Sequence, residues 1–138
     1  MVDGFDPVIG ALNTAMNLRL MEQGLISSNI ANADTPGYKA QAMEFEGALR
    51  EALGVTDHIP LERTSTEHAG HSVTDAIHPE IFDDPNGIES LDGNTVDRAT
   101  EMVKMAENQL QYDAAAEMAK RKLGMLKYAI SEGGGGNR

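Results

Sequence analysis

The residues with the plainest capacity for chemistry are four histidines, His58, His68, His71 and His78, set among carboxylates in the middle of the chain. Neutral imidazole ligates zinc and related ions, and His68 and His71 stand three positions apart. A structural zinc site takes four rigidly held ligands, often with thiolate among them. The sequence has no cysteine, and these histidines lie among glycines and prolines. The spacing therefore predicts no metal centre and no cofactor. The lack of cysteine also removes disulfides and thiol catalysis. No nucleophile–base arrangement and no phosphate-binding loop stands in the sequence, so the chain does not read as an enzyme.

A second set of residues does hydrogen-bond chemistry with the backbone. It is the run Ser28, Asn29, Ile30, Ala31, Asn32, Ala33, Asp34, Thr35, Pro36, Gly37, Tyr38 and Lys39. Asn32 can adopt the left-handed conformation that ends a helix. Asp34 and Thr35 can bond their own backbone and favour a turn. Pro36 presets φ at the first corner and Gly37 tolerates positive φ at the second, which predicts a type II turn.

Two long helices must position this turn. The first is expected over residues 8–32, with Asp6 as its cap and Pro7 at its first position. Val8, Leu12, Ala15, Arg19, Gln23, Ile26 and Ile30 follow helical spacing, and Leu18, Met21 and Leu25 form a second apolar line. Two stripes call for partners on two sides, and the expected partners are other molecules. Residues 33–53 form the turn and an arm, in which Met43, Phe45, Leu49 and Leu53 fold back. Residues 54–94 are an acidic, flexible or partly β excursion. His58 to Arg63 and His71 to Thr74 are strand candidates there, and Asp83 to Gly87 reads as a turn.

The second long helix is expected over 95–131, with Asn94 as N-cap and Asp97 at its third position. Met105, Tyr112, Ala119 and Leu126 lie seven apart, and Ala116, Leu123 and Ile130 interleave with them as a seam of coiled-coil type. Met102, Ala106, Leu110, Ala114 and Met118 make a second stripe. Residues 132–138 form a glycine-rich, disordered tail. The expected fold is one domain over 1–138, mainly all-α. Its long N- and C-terminal helices pair as an antiparallel, coiled-coil-like hairpin, with Leu12, Ile26 and Ile30 facing the seam of the second helix.

Charge is unevenly spread along these elements. Residues 1–40 carry four acids and two bases, 41–94 carry twelve acids and two bases, and 95–138 carry six acids and seven bases. The middle is thus solvated and acidic, while the ends are nearly neutral and apolar-striped. A net charge of −11 argues against nucleic-acid binding. No segment approaches the roughly 18 apolar residues of a membrane span. The start of the chain, with Asp3 and Asp6, lacks the basic region of a secretory signal.

The run Ser28–Lys39 resembles the N-terminal signature of the flagellar rod, hook and hook-associated family. Asp92-Gly93-Asn94-Thr95-Val96-Asp97 and the segment from Asn108, Leu110 and Tyr112 through Lys122, Leu126, Lys127 and Ile130 are similar to the C-terminal part of FlgB-type proximal rod proteins. Asp34 stands where many relatives have Asn. The resemblance implies a structural subunit of the rod in the flagellar basal body, located in the periplasm and exported without a cleaved signal peptide. It implies as partners other rod proteins, further copies of the chain, a FliE-type adaptor at the export gate and the flagellar type III export apparatus. The alternative from the residues alone is a free acidic helical binding or adaptor module that folds on a partner.

Overall fold

The computed structural model describes residues 6–54 and 79–133. In chain order these form helix α1 (Pro7–Ala31), strand β1 (Gln41–Met43), helix α2 (Phe45–Ala52), strand β2 (Ile81–Asp83) and helix α3 (Arg98–Gly133). The four histidines and both strand candidates at His58–Arg63 and His71–Thr74 lie outside the described residues, as does the tail from residue 134.

The fold is mainly helical, as expected, with α1 and α3 antiparallel. Asn29 bonds Glu101 at one end of the pair and Asp6 meets Lys122 at the other. Asp6 starts α1 by accepting from the Val8 N–H at 2.9 Å, and Pro7 occupies the first turn, where no backbone donor is needed. The opposite end departs from expectation. Asn32 is not left-handed but has φ −99° and ψ 11°, and its side-chain amide donates to the Ser28 carbonyl at 2.8 Å. The last carbonyls of the helix are met by backbone, the Asn32 N–H lying 3.0 Å from the Ser28 and 3.1 Å from the Asn29 carbonyl and the Ala33 N–H 3.2 Å from the Ile30 carbonyl, so no positive φ is required.

α3 begins later than the sequence suggests. Asp97, not Asn94, is its cap, with carboxylate oxygens accepting from the Ala99 N–H at 3.0 Å and the Thr100 hydroxyl at 2.7 Å. Glu101, Met105, Asn108, Tyr112, Ala115, Ala119, Lys122 and Leu126 are buried or half-buried in a four-three alternation on the side facing α1, with Lys104 and Ala116 half-buried at its flanks. The residues seven apart are those expected. The positions between them are Glu101, Asn108, Ala115 and Lys122; of the residues expected there, Ala116 is half-buried and Leu123 and Ile130 are exposed.

Leu18 and Leu25 of the second stripe of α1 find their cover within the chain instead of on another molecule, while Met21 stands exposed. Leu18 is fully buried in a cluster with Met43 and Ala48, and Leu25, Phe45 and Leu49 pack around it. The arm after the turn does this. β1 brings in Met43, Glu44 caps α2 by accepting from the Gly47 N–H, and α2 lays Ala48 and Leu49 on α1. Arg19 stacks 3.6 Å over the Phe45 ring and pairs with Glu22 at 2.7 Å, closing the edge of the cluster.

β1 pairs antiparallel with β2 in the register Gln41 with Asp83, Ala42 with Phe82 and Met43 with Ile81. The turn after β2 forms as expected, with the Gly87 N–H on the Asp84 carbonyl at 3.2 Å and the Asn86 N–H on the Asp84 carboxylate at 2.9 Å. This two-stranded sheet anchors the return of the chain beside the signature turn.

Candidate functional site

The turn at Pro36-Gly37 has the geometry its residues demand. Gly37 has φ +72°, and the Tyr38 N–H bonds the Thr35 carbonyl at 3.2 Å. The turn is locked by the second motif, Asp92–Asp97, which lies about 60 positions further along the chain. Asn94 is buried, and its side-chain amide donates to the carbonyls of Asn32 at 3.0 Å, Ala33 at 3.1 Å and Thr35 at 2.8 Å. Its oxygen accepts from the Val96 N–H at 2.7 Å. One side chain thereby ties off the end of α1, holds the turn and shapes the approach to α3.

Backbone bonds complete this knot. The Gly37 N–H donates to the Asp92 carbonyl at 2.9 Å, the Thr95 N–H to the Tyr38 carbonyl at 3.0 Å, and the Ala40 N–H to the Thr95 hydroxyl at 2.8 Å. Gly93, with φ +79°, lies so close that a Cβ there would stand 3.5 Å from the Gly37 Cα. Exposed ion pairs rim the knot, Arg98 with Asp34 at 2.7 Å and Lys39 with Glu89 at 3.1 Å.

Asn29 organises the buried side. Its oxygen accepts from the Gln41 N–H at 2.9 Å and from the Tyr38 hydroxyl at 3.3 Å. Its amide donates to the Gln41 carbonyl at 2.8 Å and to Glu101 at 2.9 Å. The second Glu101 oxygen meets the Lys104 ammonium at 2.8 Å, and Lys104 reaches Asp84 at 2.8 Å. The buried carboxylate is therefore paired and bonded, which is the condition under which a charge tolerates burial. Lys104 holds the Asp84 carboxyl below its usual range. Burial by itself lowers the Lys104 ammonium, but the bonds to Asp84 and Glu101 outweigh it and the net direction is upward.

Further along the helix pair, the Asn108 amide donates to the Arg19 carbonyl and to the Gln23 side chain, each at 2.8 Å. Polar side chains thus sit at three of the four alternate seam positions, Glu101, Asn108 and Lys122, each answered by a group on α1 or by its cap Asp6. Such polar pairs fix register and orientation more than they add stability. A cleft of about 330 Å³ beside this seam is lined by Leu25, Ile26, Met43 and Phe82. Its charged residues, Glu22, Asp84, Glu101 and Lys104, are all engaged in ion pairs, so it offers no reactive group.

The structure brings the signature residues together around the knot. Asn29 is buried, Ser28, Asn32, Ala33 and Tyr38 are half-buried, and Asp34, Thr35, Pro36, Gly37 and Lys39 are exposed. Of the seam residues, Ile26 is buried and Leu12, Ile30, Met105, Tyr112, Ala116, Ala119 and Leu126 are half-buried. Leu123 is 51% and Ile130 77% exposed, since they lie on the part of α3 beyond the Asp6–Lys122 pair. Asp113 bonds Gln109 at 3.0 Å on an exposed face and does not interrupt the seam. The reading of the residues missed Glu101, Lys104 and Asn108. The signal for Glu101 and Asn108 was a polar pair seven apart that alternates with Met105 and Tyr112; Lys104 had no such signal.

The family described as flagella basal body rod protein matches residues 10–39, which include the whole signature run. The flagellar basal body rod protein FlgB of Escherichia coli K12 is 38% identical over 120 residues, covering 81% of this chain and 84% of the relative. The FlgB protein of Cereibacter sphaeroides ATCC 17029 is 36% identical over 127 residues, covering 92% and 96%. The chain belongs to the FlgB family of flagellar basal body rod proteins. The FlgB protein of Salmonella typhimurium LT2 extends the likeness across 97% of this chain at 32% identity. That coverage includes the central segment, where the residues alone gave no recognisable match. As a member of the FlgB family the chain is structural and not an enzyme.

Proposed function

We propose that the chain is a structural subunit of the proximal rod of the bacterial flagellar basal body, joining the drive shaft through its paired terminal helices. One observation supports this beyond family membership. α3 is filled on the side facing α1, yet Met102, Val103, Leu110, Met118, Leu123, Met125 and Ile130 stand exposed around the rest of it. Apolar rows of this length on a solvated helix mark surfaces that assembly covers.

In this reading the signature residues Ser28–Lys39 set a fixed angle between the helix pair and the arm, and the knot around Asn94 keeps that angle equal in every subunit. Leu12, Ile26, Ile30, Met105, Tyr112, Ala116, Ala119 and Leu126 hold the two helices together. Leu123 and Ile130 meet neighbouring subunits. Other rod proteins, further copies of the chain and a FliE-type adaptor at the export gate are its partners. The subunit passes through the type III export apparatus without a cleaved signal peptide and functions in the periplasmic rod. No helix among the described residues is long and apolar enough to cross a membrane. The free adaptor alternative loses ground because α1 already fills two of its faces inside the chain.

The test is a flagellated cell whose own copy has been replaced by this chain. Cryo-electron microscopy of its purified basal bodies is expected to show the helix pair in the proximal rod. Hooks and rods of normal form without this chain in them would overturn the proposal.

A further inference from the structure

The sequence contains one Asn-Gly step, Asn86-Gly87, in the turn after β2. Asn86 is exposed and Gly87 half-buried. Close packing demands the glycine. A Cβ at Gly87 would stand 2.8 Å from the Thr95 Cβ and 3.0 Å from the Thr95 carbonyl oxygen. Thr95 is pinned, with its N–H on the Tyr38 carbonyl and its hydroxyl taking the Ala40 N–H. The same packing therefore sets an unhindered backbone nitrogen directly after an exposed asparagine.

That pairing is chemically labile, because glycine puts no side chain in the way of its own nitrogen and turns freely once released. The Gly87 nitrogen gives its proton to water or hydroxide and attacks Asn86 Cγ. A new N–Cγ bond closes a cyclic imide, the Cγ–Nδ2 bond breaks, and Nδ2 takes up a proton and leaves as ammonia. Water then opens the imide. Cleavage at Cγ gives aspartate, and cleavage at the backbone carbonyl gives isoaspartate, whose main chain runs through Cβ and Cγ. Nothing is oxidised or reduced.

The folded turn opposes the attack. The Gly87 N–H is donated to the Asp84 carbonyl at 3.2 Å, and the Asn86 N–H to the Asp84 carboxylate at 2.9 Å. Thr95 presses on Gly87 from the other side, and Thr95 belongs to the motif that clamps the signature turn. We infer that Asn86-Gly87 is a self-modifying site gated by the knot: Asn86 keeps its amide while the Asp92–Asp97 motif grips the signature turn, and deamidates when that grip opens.

The product acts on the network that holds β2. Asp84, Asn86, Asp97, Glu101 and Lys104 line one cleft of about 140 Å³. Lys104 is the cation among the described residues lining it, and it already serves Asp84 and Glu101. A carboxylate in place of the Asn86 amide sets a further negative charge beside that shared ammonium. Isoaspartate also lengthens the main chain between Asp84 and Gly87, so the Asp84–Gly87 bond and the seat under Thr95 no longer fit together. A copy that has waited open is thereby marked, and it closes less well than a fresh one.

The freshly purified full chain tests this, held at one mildly alkaline pH with and without urea and followed by mass spectrometry of its peptides. Conversion at Asn86 to aspartate and isoaspartate is expected to run about tenfold or more faster in urea than in buffer, as opening becomes the resting state. In buffer, Asn94→Ala should convert faster than the unaltered chain, because it releases the clamp. Asn86→Gln should show no conversion at that position, since a glutamine must close a larger ring. Asn86→Asp should lower the urea midpoint. No conversion at Asn86 in urea would overturn the site. Equal rates with and without urea, or an Asn94→Ala rate no higher than that of the unaltered chain, would overturn the gate. An unmoved midpoint for Asn86→Asp, with isoaspartate-bearing chain unfolding at the same urea concentration, would overturn the effect on closure.

Discussion

The two ends of the helix pair are built on opposite principles. At the signature end, Asn29, Asn94 and Glu101 are buried, and their side-chain donors and acceptors are bonded within the chain. At the far end, α3 runs on beyond the Asp6–Lys122 pair and exposes Leu123, Met125 and Ile130. One end is finished by its own sequence and holds its geometry alone. The other is mostly apolar and unpaired within the described residues, and in the proposed reading neighbours complete it. A subunit that must repeat identically needs the first property, and a subunit that must join others needs the second.

Substitutions at the two ends should therefore fail in different ways. The largest effect on stability is expected at Asn94→Ala, which leaves the carbonyls of Asn32, Ala33 and Thr35 without their shared donor. The Asn32 and Thr35 carbonyls keep the Thr35 and Tyr38 N–H groups, while the Ala33 carbonyl and the Val96 N–H lose their partner; at about 1–3 kcal/mol for each unsatisfied group, a total of about 3 kcal/mol is expected from the urea midpoint. Asn94→Asp keeps the acceptor for the Val96 N–H and should lose as much, because the donors are what the turn uses. A loss under about 1 kcal/mol for both would show that the knot does not hold the turn.

Gly37→Val comes next. A β-branched residue at φ +72° is strained, at a cost of about 1–3 kcal/mol. Gly37→Asn should cost less, because Asn tolerates left-handed geometry. Nothing near Gly37 blocks an added Cβ, so the difference between the two variants isolates backbone conformation from crowding. Equal midpoints for Val and Asn would contradict the turn geometry, and hook counts in the same strains would report whether the angle matters to assembly.

A smaller effect should follow pH. Asp84 titrates below its usual 3.8, chiefly because Lys104 bonds it. A depressed carboxyl contributes its stabilisation fully above the unfolded value and loses it as pH falls through the folded one. Acidification below about 3.8 should loosen β2 from α3. Amide exchange at Ile81–Asp83 checks this, and Asp84→Asn should remove the dependence. Exchange that stays equally slow through that window would break the proposed link.

The smallest effect on stability belongs to the far end. Leu123→Asp should shift the urea midpoint by less than about 0.5 kcal/mol, since the side chain is already half exposed. The same change should abolish rod assembly and hooks. Normal motility with Leu123→Asp would remove the assembly role of that end, and a large midpoint shift would place Leu123 inside the monomer's own seam.

Local signals explain what the sequence made legible. Asp6 and Pro7 announced the start of α1, Pro36-Gly37 the turn type, and the seven-residue recurrence of Met105, Tyr112, Ala119 and Leu126 the side of α3 that meets α1. What stayed hidden depends on contacts between distant positions. Asn94 has the chemistry of a helix cap, and only its approach to Thr35 turns it into a clamp on another element. The cover for Leu18 was hidden for a similar reason. A short arm containing Gly47 is a weak helix by propensity, and burial of Ala48 and Leu49 against α1 is what forms it.

One bond pattern has a consequence for the time before assembly. A strand with only one neighbour normally offers its outer edge to any passing chain, which is a route to amyloid-like association. In β1 the outward N–H and C=O of Gln41 are both taken by the Asn29 amide, and the Ala40 N–H is taken by Thr95. A side chain thus serves as a third strand one residue long. That stretch of the β1 edge is closed, and another chain is steered away from adding a strand there.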